Sequence, residues 1–435
     1  MIIIDNRLQT MEREGKSIRV GISGAGAMGR GILHQIMLYT PGMKVVAIAN
    51  RTISKAIEAF QNSGHVSEIC NNLESLQKCI ASGGYAVTED PQLLCEVEDI
   101  DVIVEVTGTI HYATNLVLAA IQNKKHVLLY NAELEATLGP ILKKYADKAG
   151  VMLSGGDGDQ PGVIVNLYRY VKTLGLTPLI CGNIKGLQDF YRNPTTQASF
   201  AQRWGMSPEM VTSFADGSKI SFEQTCVANA TGMGVAKRGM LGYNYNGHID
   251  DMLSMYNVEE LKSMGGMVDY VVGPKPGPGV FVFATTDDPI LKKYLNYMKM
   301  GEGPLYSFYT PYHLICVEVP ISIARMILFN DIVTAPLNGP VVEVITCAKT
   351  ELKAGKKLDG IGGYDAYGQC ENASIARKEN LLPMGLAEGA FVKHELPRDH
   401  VLTFDDVELP EENLVLRLYE EQTKIFFPQM VKKVY

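Results

Sequence analysis

The hydrophobic pattern becomes readable at residues 18–22, where Ile-Arg-Val-Gly-Ile predicts a short buried strand. Apolar positions at helical spacing follow over Ile32 to Leu38, and a second strand is expected at Lys44–Ala49. The alternation continues. Asp90-Pro91 reads as a helix start, with Asp90 capping and Pro91 at the first helical position. Residues 101–106, Asp-Val-Ile-Val-Glu-Val, form a nearly continuous apolar run, as in a parallel strand buried on both faces. A helix over Tyr112–Ile121, a strand at His126–Leu129, a helix from about Glu133 to Ala149 and a strand at Val151–Leu153 complete the series. Strands alternating with helices predict a doubly wound parallel sheet over residues 1–160.

Beyond it the pattern predicts a helix over 163–174, strands at Leu179–Ile184 and Phe281–Ala284, and an apolar strand-like run at Leu314–Val319. A helix over about Ile321–Asn330 has spacing suited to packing back on the first domain. From about residue 345 the segments shorten around Gly-rich turns, which predicts a small β-rich module. The expected organisation is α/β: a Rossmann-type domain over 1–160, a central α+β domain over 161–345 and a β-rich domain over 346–435.

The first turn carries chemistry. Gly24-Ala-Gly26-Ala27-Met28-Gly29 is a G-x-G-x-x-G run between strand and helix. The first Gly permits the tight turn, the second lets backbone approach a pyrophosphate, and the third allows close packing of helix on strand. The helix N-terminus offers free N–H groups to phosphates. The second strand ends in Asn50-Arg51-Thr52, where an NAD enzyme usually places Asp or Glu for the ribose hydroxyl. A carboxylate would repel a 2′-phosphate, whereas Arg51 pairs with it and Thr52 donates to it, so NADP(H) is expected. Thr107, Gly108, Asn131 and Glu133 stand at later strand ends, on the expected cofactor side.

The loop Ser154-Gly-Gly-Asp157-Gly-Asp159-Gln160-Pro161-Gly162 puts two acids at a strand's carboxyl end, and Asp159 is a candidate for the catalytic site. Asp157 and Asp159 alone make a weak metal signal, so a divalent metal stays open. Lys219 and Glu223 share a helical face with apolar neighbours, which predicts partial burial and a proton-donating Lys with a carboxylate partner. Lys185, after a strand, is the next candidate donor. Asn229, Thr231 and His313 are candidate substrate contacts, and Lys237-Arg238 a candidate clamp for a phosphate or carboxylate.

These residues carry a resemblance. The N-terminal half resembles homoserine dehydrogenase-like NAD(P)-binding proteins. The segment Ala387-Glu-Gly-Ala with Val401-Leu-Thr-Phe-Asp-Asp-Val407 resembles a SAF domain. Together with Gly158–Gly162, Asp216-Gly-Ser-Lys219, Ala228–Gly232 and Pro311-Tyr-His-Leu314, the chain is similar to the reductoisomerase-like proteins, some of which act on 1-deoxy-D-xylulose 5-phosphate. The resemblance implies an NADPH-dependent enzyme, a Rossmann domain, a central catalytic and dimerisation domain, and a C-terminal SAF-type domain. The acidic metal-binding pattern of the ordinary reductoisomerases is not present, so no metal is carried over. Lys185, Lys219 and Glu223 rest on their chemistry and not on a matched motif.

Composition narrows the classes. Of 435 residues, 46% are apolar and 20% charged, ordinary for a globular chain. Forty Lys and Arg against 48 Asp and Glu leave −8, and no basic patch favours nucleic acid or a membrane surface. No run of 18 apolar residues and no signal-peptide pattern occur, and eight dispersed cysteines without a C-x-x-C pair predict reduced thiols in a cytoplasmic protein. The leading expectation is an NADPH-dependent reductase or reductoisomerase of a small phosphorylated ketose. A plain dehydrogenase of homoserine or a sugar acid is the alternative, and an NADP-binding sensor the third. A homodimer is expected.

Overall fold

The computed structural model describes residues 4–411 and 413–430. The chain folds into two compact units. The first comprises the N-terminal residues to Glu135, Ile141–Asp159 and Leu314–Ala335; the second comprises Ala136–Pro140, Gln160–His313 and the residues from Pro336 onward.

The first unit is built on seven strands: β1 (Ile18–Ser23), β2 (Met43–Ala49), β3 (Ser67–Ile69), β4 (Tyr85–Thr88), β5 (Val102–Glu105), β6 (His126–Leu129) and β7 (Leu153–Gly155). Their order is β3-β4-β2-β1-β5-β6-β7, and every pairing is parallel. β5 and β6 are apolar on both faces because helices cover both, which is why 101–106 reads as one unbroken run. Val20, Ile22, Val45, Ile48, Val102 and Val104 meet Ile32, Leu33 and Ile36 of the helix Ala27–Tyr39. The helix Val319–Phe329 adds Val319, Ile323 and Met326 to the same core. The strand order reverses between β1 and β5, and at such a point a doubly wound sheet opens its ligand crevice.

Residues 314–319 form no strand. Val317 and Glu318 donate backbone bonds to the Leu314 carbonyl at 2.9 and 3.1 Å, a turn that feeds the helix with Pro320 near its start. Pro there fixes φ at a helical value and lacks the N–H a strand would need, so the apolar run belongs to a helix entry.

The second unit is centred on a mixed sheet of β8 (Thr177–Lys185), β9 (Tyr243–Asn244), β10 (Met267–Val272), β11 (Gly279–Thr285) and β12 (Leu305–Thr310), in the order β12-β11-β8-β10-β9. Side chains alternate across β8. Cys181 packs with Ile164 and Val171 of the helix Gln160–Thr173 and with Ile220 and Val227 of the helix Ser218–Thr231. Ile180 and Ile184 pack on the other face with Ile249, Met252 and Leu261.

The helix Ser218–Thr231 is buried nearly all round, because a hairpin of β13 (Val342–Ala348) and β14 (Ala366–Asn372) covers its far side. Ser221 Oγ donates to the Gly368 carbonyl at 3.1 Å, and Ser218 Oγ accepts from the Gly368 N–H at 2.9 Å. Lys349, 2% exposed, donates to Asp216 at 2.8 Å and to the Arg192 and Gly363 carbonyls, tying the hairpin to the loop before that helix. After the hairpin come a short pair of β15 (Phe391–Val392) with β16 (Val407–Glu408), and the helix Leu414–Phe426. They fall in the same compact unit as Gln160–His313.

Candidate functional site

In the first unit the three glycines each meet the constraint that their spacing predicts. Gly24 takes φ +113°, a left-handed conformation that other residues avoid, and its N–H reaches the Ala49 carbonyl at 2.9 Å. A Cβ on Gly29 would fall 1.9 Å from the Gly24 carbonyl oxygen, so the helix can approach the turn only without a side chain. Gly26 differs: no protein atom lies within 4 Å of where its Cβ would stand. The turn thus presents open backbone at Gly26 and exposed Ala27, at the N-terminus of the helix Ala27–Tyr39. A dinucleotide pyrophosphate fits that cradle, since the free N–H groups of the first turn face it. Met28 is half-buried against Cys316, sulfur to sulfur at 3.4 Å.

Asn50 is spent on the cradle itself. Its Oδ1 accepts from the Ala25 N–H at 2.9 Å, and its Nδ2 donates to the Thr52 carbonyl at 2.7 Å. Arg51 and Thr52 are exposed at the carboxyl end of β2. Glu105, the last residue of β5, is fully buried and receives the Thr107 N–H at 2.8 Å, the Thr107 hydroxyl, and Asn131 Nδ2 at 3.0 Å. Burial pushes its carboxyl up, and these donors pull it back. Asn131 Oδ1 in turn caps the helix Ala132–Ala149 through the Leu134 N–H at 3.0 Å. Asn131 therefore shapes the strand ends from within, while Thr107 and Gly108, the latter at φ +69°, stand half-exposed beside them.

Past β7, Asp157 is committed. Its carboxylate takes Arg325 Nη1 at 3.0 Å and the Ser322 hydroxyl at 2.9 Å, and its carbonyl accepts the Tyr130 hydroxyl. Arg325, 1% exposed, also pairs with Asp331 at 2.7 Å. Among the described residues no group of three or more His, Cys, Asp or Glu is placed to hold a metal. Asp159 is buried, and its charge acts on Tyr130, Glu135 and Cys316. Burial, with Asp159 beside it, pushes the Glu135 carboxyl up to about 8.

In the second unit a row of polar groups lines one face of β8. Asn183 donates to Gln160 Oε1, and Gln160 Nε2 lies 3.3 Å from His313 Nε2. Two residues along the same face, Lys185 Nζ donates to the Phe214 carbonyl at 2.9 Å. Burial lowers the Lys185 ammonium to about 8, against the opposing pull of Glu223 and then Asp216. Glu223 is 6% exposed and Asp216 fully buried. Two carboxylate charges thus oppose the effect of burial on this cation, one of them, Asp216, being itself paired with Lys349 at 2.8 Å. Lys185 suits proton exchange with a substrate oxygen.

The chain's matches to known proteins fall on these two regions. Residues 24–154 match a family model described as homoserine dehydrogenase, NAD binding domain, and residues 158–319 one described as oxidoreductase DRL, catalytic domain. The matches support an NAD(P)-dependent oxidoreductase. Homoserine dehydrogenase of Neisseria gonorrhoeae is 25% identical over 40% of this chain, and that of Bacillus subtilis 27% over 31%. The chain spans 37% and 28% of those relatives' own lengths. A solved probable dehydrogenase from Thermotoga maritima is 14% identical, with a TM-score of 0.40, covering 72% of this chain and 90% of that one. The matched regions end at residue 319, so the resemblance of the C-terminal segment to a SAF domain has no counterpart among them.

Other expected contacts of the oxidoreductase serve the fold. Asn229 is 1% exposed, and its Oδ1 accepts the Val341 and Val342 N–H groups at 2.7 and 3.1 Å. Thr231 bonds back to the Val227 carbonyl at 2.8 Å, where the helix ends at Gly232 with φ +84°. Arg238 is bridged by Glu371 at 2.7 Å and Glu379 at 2.5 Å, so its charge is already neutralised, while the neighbouring Lys237 is exposed. Lys219, in the first turn of its helix, and Lys185, at the end of β8, are both half-buried. Sequence reasoning missed Glu105, Arg325, Asp216 and Asn183. Two of these had a signal: a single charged residue inside an apolar run, as at Glu105 and Arg325, predicts a buried partner.

Proposed function

We propose that the protein is an NADP(H)-dependent oxidoreductase in which Lys185 exchanges a proton with the oxygen of a small substrate's carbonyl or alcohol group. When bound, the dinucleotide supplies or accepts the hydride. In the reducing direction Lys185 gives its Nζ proton to the carbonyl oxygen, and the neutral amine regains one from solvent. Glu223 and Asp216 keep enough positive charge at Nζ for that donation, and burial makes the proton easy to lose. Asn183 and Gln160, with His313, are placed to orient the substrate's polar groups. The observation that carries the reading is the Lys185 ammonium at the end of β8, bonded to the Phe214 carbonyl, lowered by burial and acted on by the charges of Glu223 and Asp216.

NADP(H) is favoured because Arg51 and Thr52 are exposed at the end of β2 and Asn50 is turned inward. From the resemblance, the substrate is a phosphorylated ketose such as 1-deoxy-D-xylulose 5-phosphate, with skeletal rearrangement accompanying reduction, and the enzyme is a cytoplasmic homodimer. The neutralised Arg238 favours a second reading, dehydrogenation of a sugar acid, because half of the expected phosphate clamp is already paired. Incubating the full chain with NADPH or NADP+ and either the ketose phosphate, homoserine or a sugar acid, while following absorbance and product mass, tests these readings. Turnover of homoserine alone would sink both, and no turnover on any carbonyl or alcohol substrate would remove the oxidoreductase reading.

A further inference from the structure

A cavity of about 330 Å³ lies in the second unit. Its wall includes Gln188, Lys237, Arg238, Asn244, Tyr270 and Gln369. Tyr270 pairs with Asn183 across β10 and β8, and Lys185 Nζ lies 6.0 Å from its ring centre, so the cavity adjoins the proposed proton donor. One rim is the loop from Lys237 to Gly242, held in an uncommon shape: Gly239, Met240 and Gly242 all take positive φ.

The charge of this wall is specific. Arg238 is neutralised by Glu371 and Glu379. Lys237 has no carboxylate partner among the described residues and remains the one uncompensated cation of the wall. The Gln188 amide is buried with neither Nε2 nor Oε1 hydrogen-bonded. An orphaned buried amide is destabilising, and a ligand relieves this by giving both atoms a partner. A hydroxyl does this, since it donates and accepts at once. Asn244, exposed, and Gln369, whose Oε1 accepts from the Cys347 thiol at 3.5 Å, add two further amides to the wall.

We propose that this cavity binds a polyhydroxylated monocarboxylate, a sugar acid, with its carboxylate on Lys237 and its hydroxyls on Gln188, Asn244 and Gln369. The Gln188 amide turns from Gly217 toward the cavity when the ligand enters. A phosphate dianion would find one free cation where two charges need pairing. The inference rests on the oxidoreductase reading for its purpose, but its test reads binding alone.

The full chain is titrated calorimetrically with D-gluconate, sorbitol, acetate and ribose 5-phosphate, and separately with NADPH by fluorescence. Gluconate should bind about 10-fold or more tighter than each of the other three. Lys237→Met should abolish the preference for gluconate over sorbitol, and Gln188→Leu should weaken both polyols by a similar factor. Tighter binding of ribose 5-phosphate, equal binding of acetate, or no binding of gluconate overturns the proposal. NADPH binding without gluconate binding overturns this inference and leaves the oxidoreductase reading standing; gluconate binding without NADPH binding does the reverse.

Discussion

Lys185→Met is the sharpest perturbation of the proposed chemistry, because Met keeps the length and apolar bulk and removes only the proton. Proton donation by a positioned group contributes ~10²–10⁴ in rate, or ~3–5 kcal/mol of barrier. Turnover should fall by that factor, with NADPH affinity unchanged, since the proposed role of Lys185 is confined to the chemical step. The native enzyme should carry a matching pH signature. A group titrating at about 8 is about 0.9 protonated at pH 7 and about 0.1 at pH 9. Carbonyl reduction, which needs the ammonium, should decline about tenfold across that interval, and alcohol oxidation, which needs the free amine, should rise by the same factor.

Stability carries its own sign. The folded amine titrates below its ordinary 10.5 because burial penalises the charged form. That penalty is fully present below pH about 8, worth roughly 3 kcal/mol, and fades as pH rises toward 10.5. Lys185→Met should thus lose activity without a loss of Tm at pH 7. Pre-steady-state turnover of the variant against native enzyme, with pH profiles in both directions, checks this. A rate within threefold of native, or a native profile flat between pH 7 and 9, would refute the role of Lys185.

Other outcomes follow from the cradle and the core. Gly29→Ala forces a Cβ against the Gly24 carbonyl, so it should cost about 1–3 kcal/mol in urea unfolding; an unchanged midpoint would contradict the packing. Arg51→Asp should lower NADPH affinity and leave NADH affinity equal or higher, read by fluorescence titration, and an unchanged preference would show that Arg51 does not touch the 2′-phosphate. Asp157→Asn leaves the buried Arg325 under-compensated and should destabilise the fold by about 3 kcal/mol, whereas a loss below about 1 kcal/mol would mean that Asp331 suffices.

The first unit was legible in its sequence because its signals are local. Glycine spacing is read by steric contact within one turn, and continuous apolar runs report a sheet covered on both faces, so β1, β2, β5 and β6 lie within a residue or two of expectation. The helix carrying Lys219 and Glu223 was equally plain from its period. Failures came where partners are distant in the chain. Arg325 meets Asp157 across 168 positions and Lys349 meets Asp216 across 133, and no window of sequence contains both ends. Arg238 looked like a substrate clamp because Glu371 and Glu379 approach it only after β14 has folded back. Residues 314–319 misled for a local reason: an apolar run reads alike as strand or helix entry, and Pro320 decides it.

The central claim is that the Gly24–Gly29 turn holds a nicotinamide dinucleotide, and Gly26→Ala tests it most directly. Ala is compatible with the Gly26 backbone, φ −71°, and its Cβ would meet no protein atom within 4 Å, so only a ligand can object to it. NADPH fluorescence titration of the native chain and of Gly26→Ala, with thermal unfolding of both, should show saturable binding to the native protein, binding at least about 10-fold weaker in the variant, and indistinguishable melting. No binding to the native chain, or equal affinity in a variant that melts normally, would contradict the account.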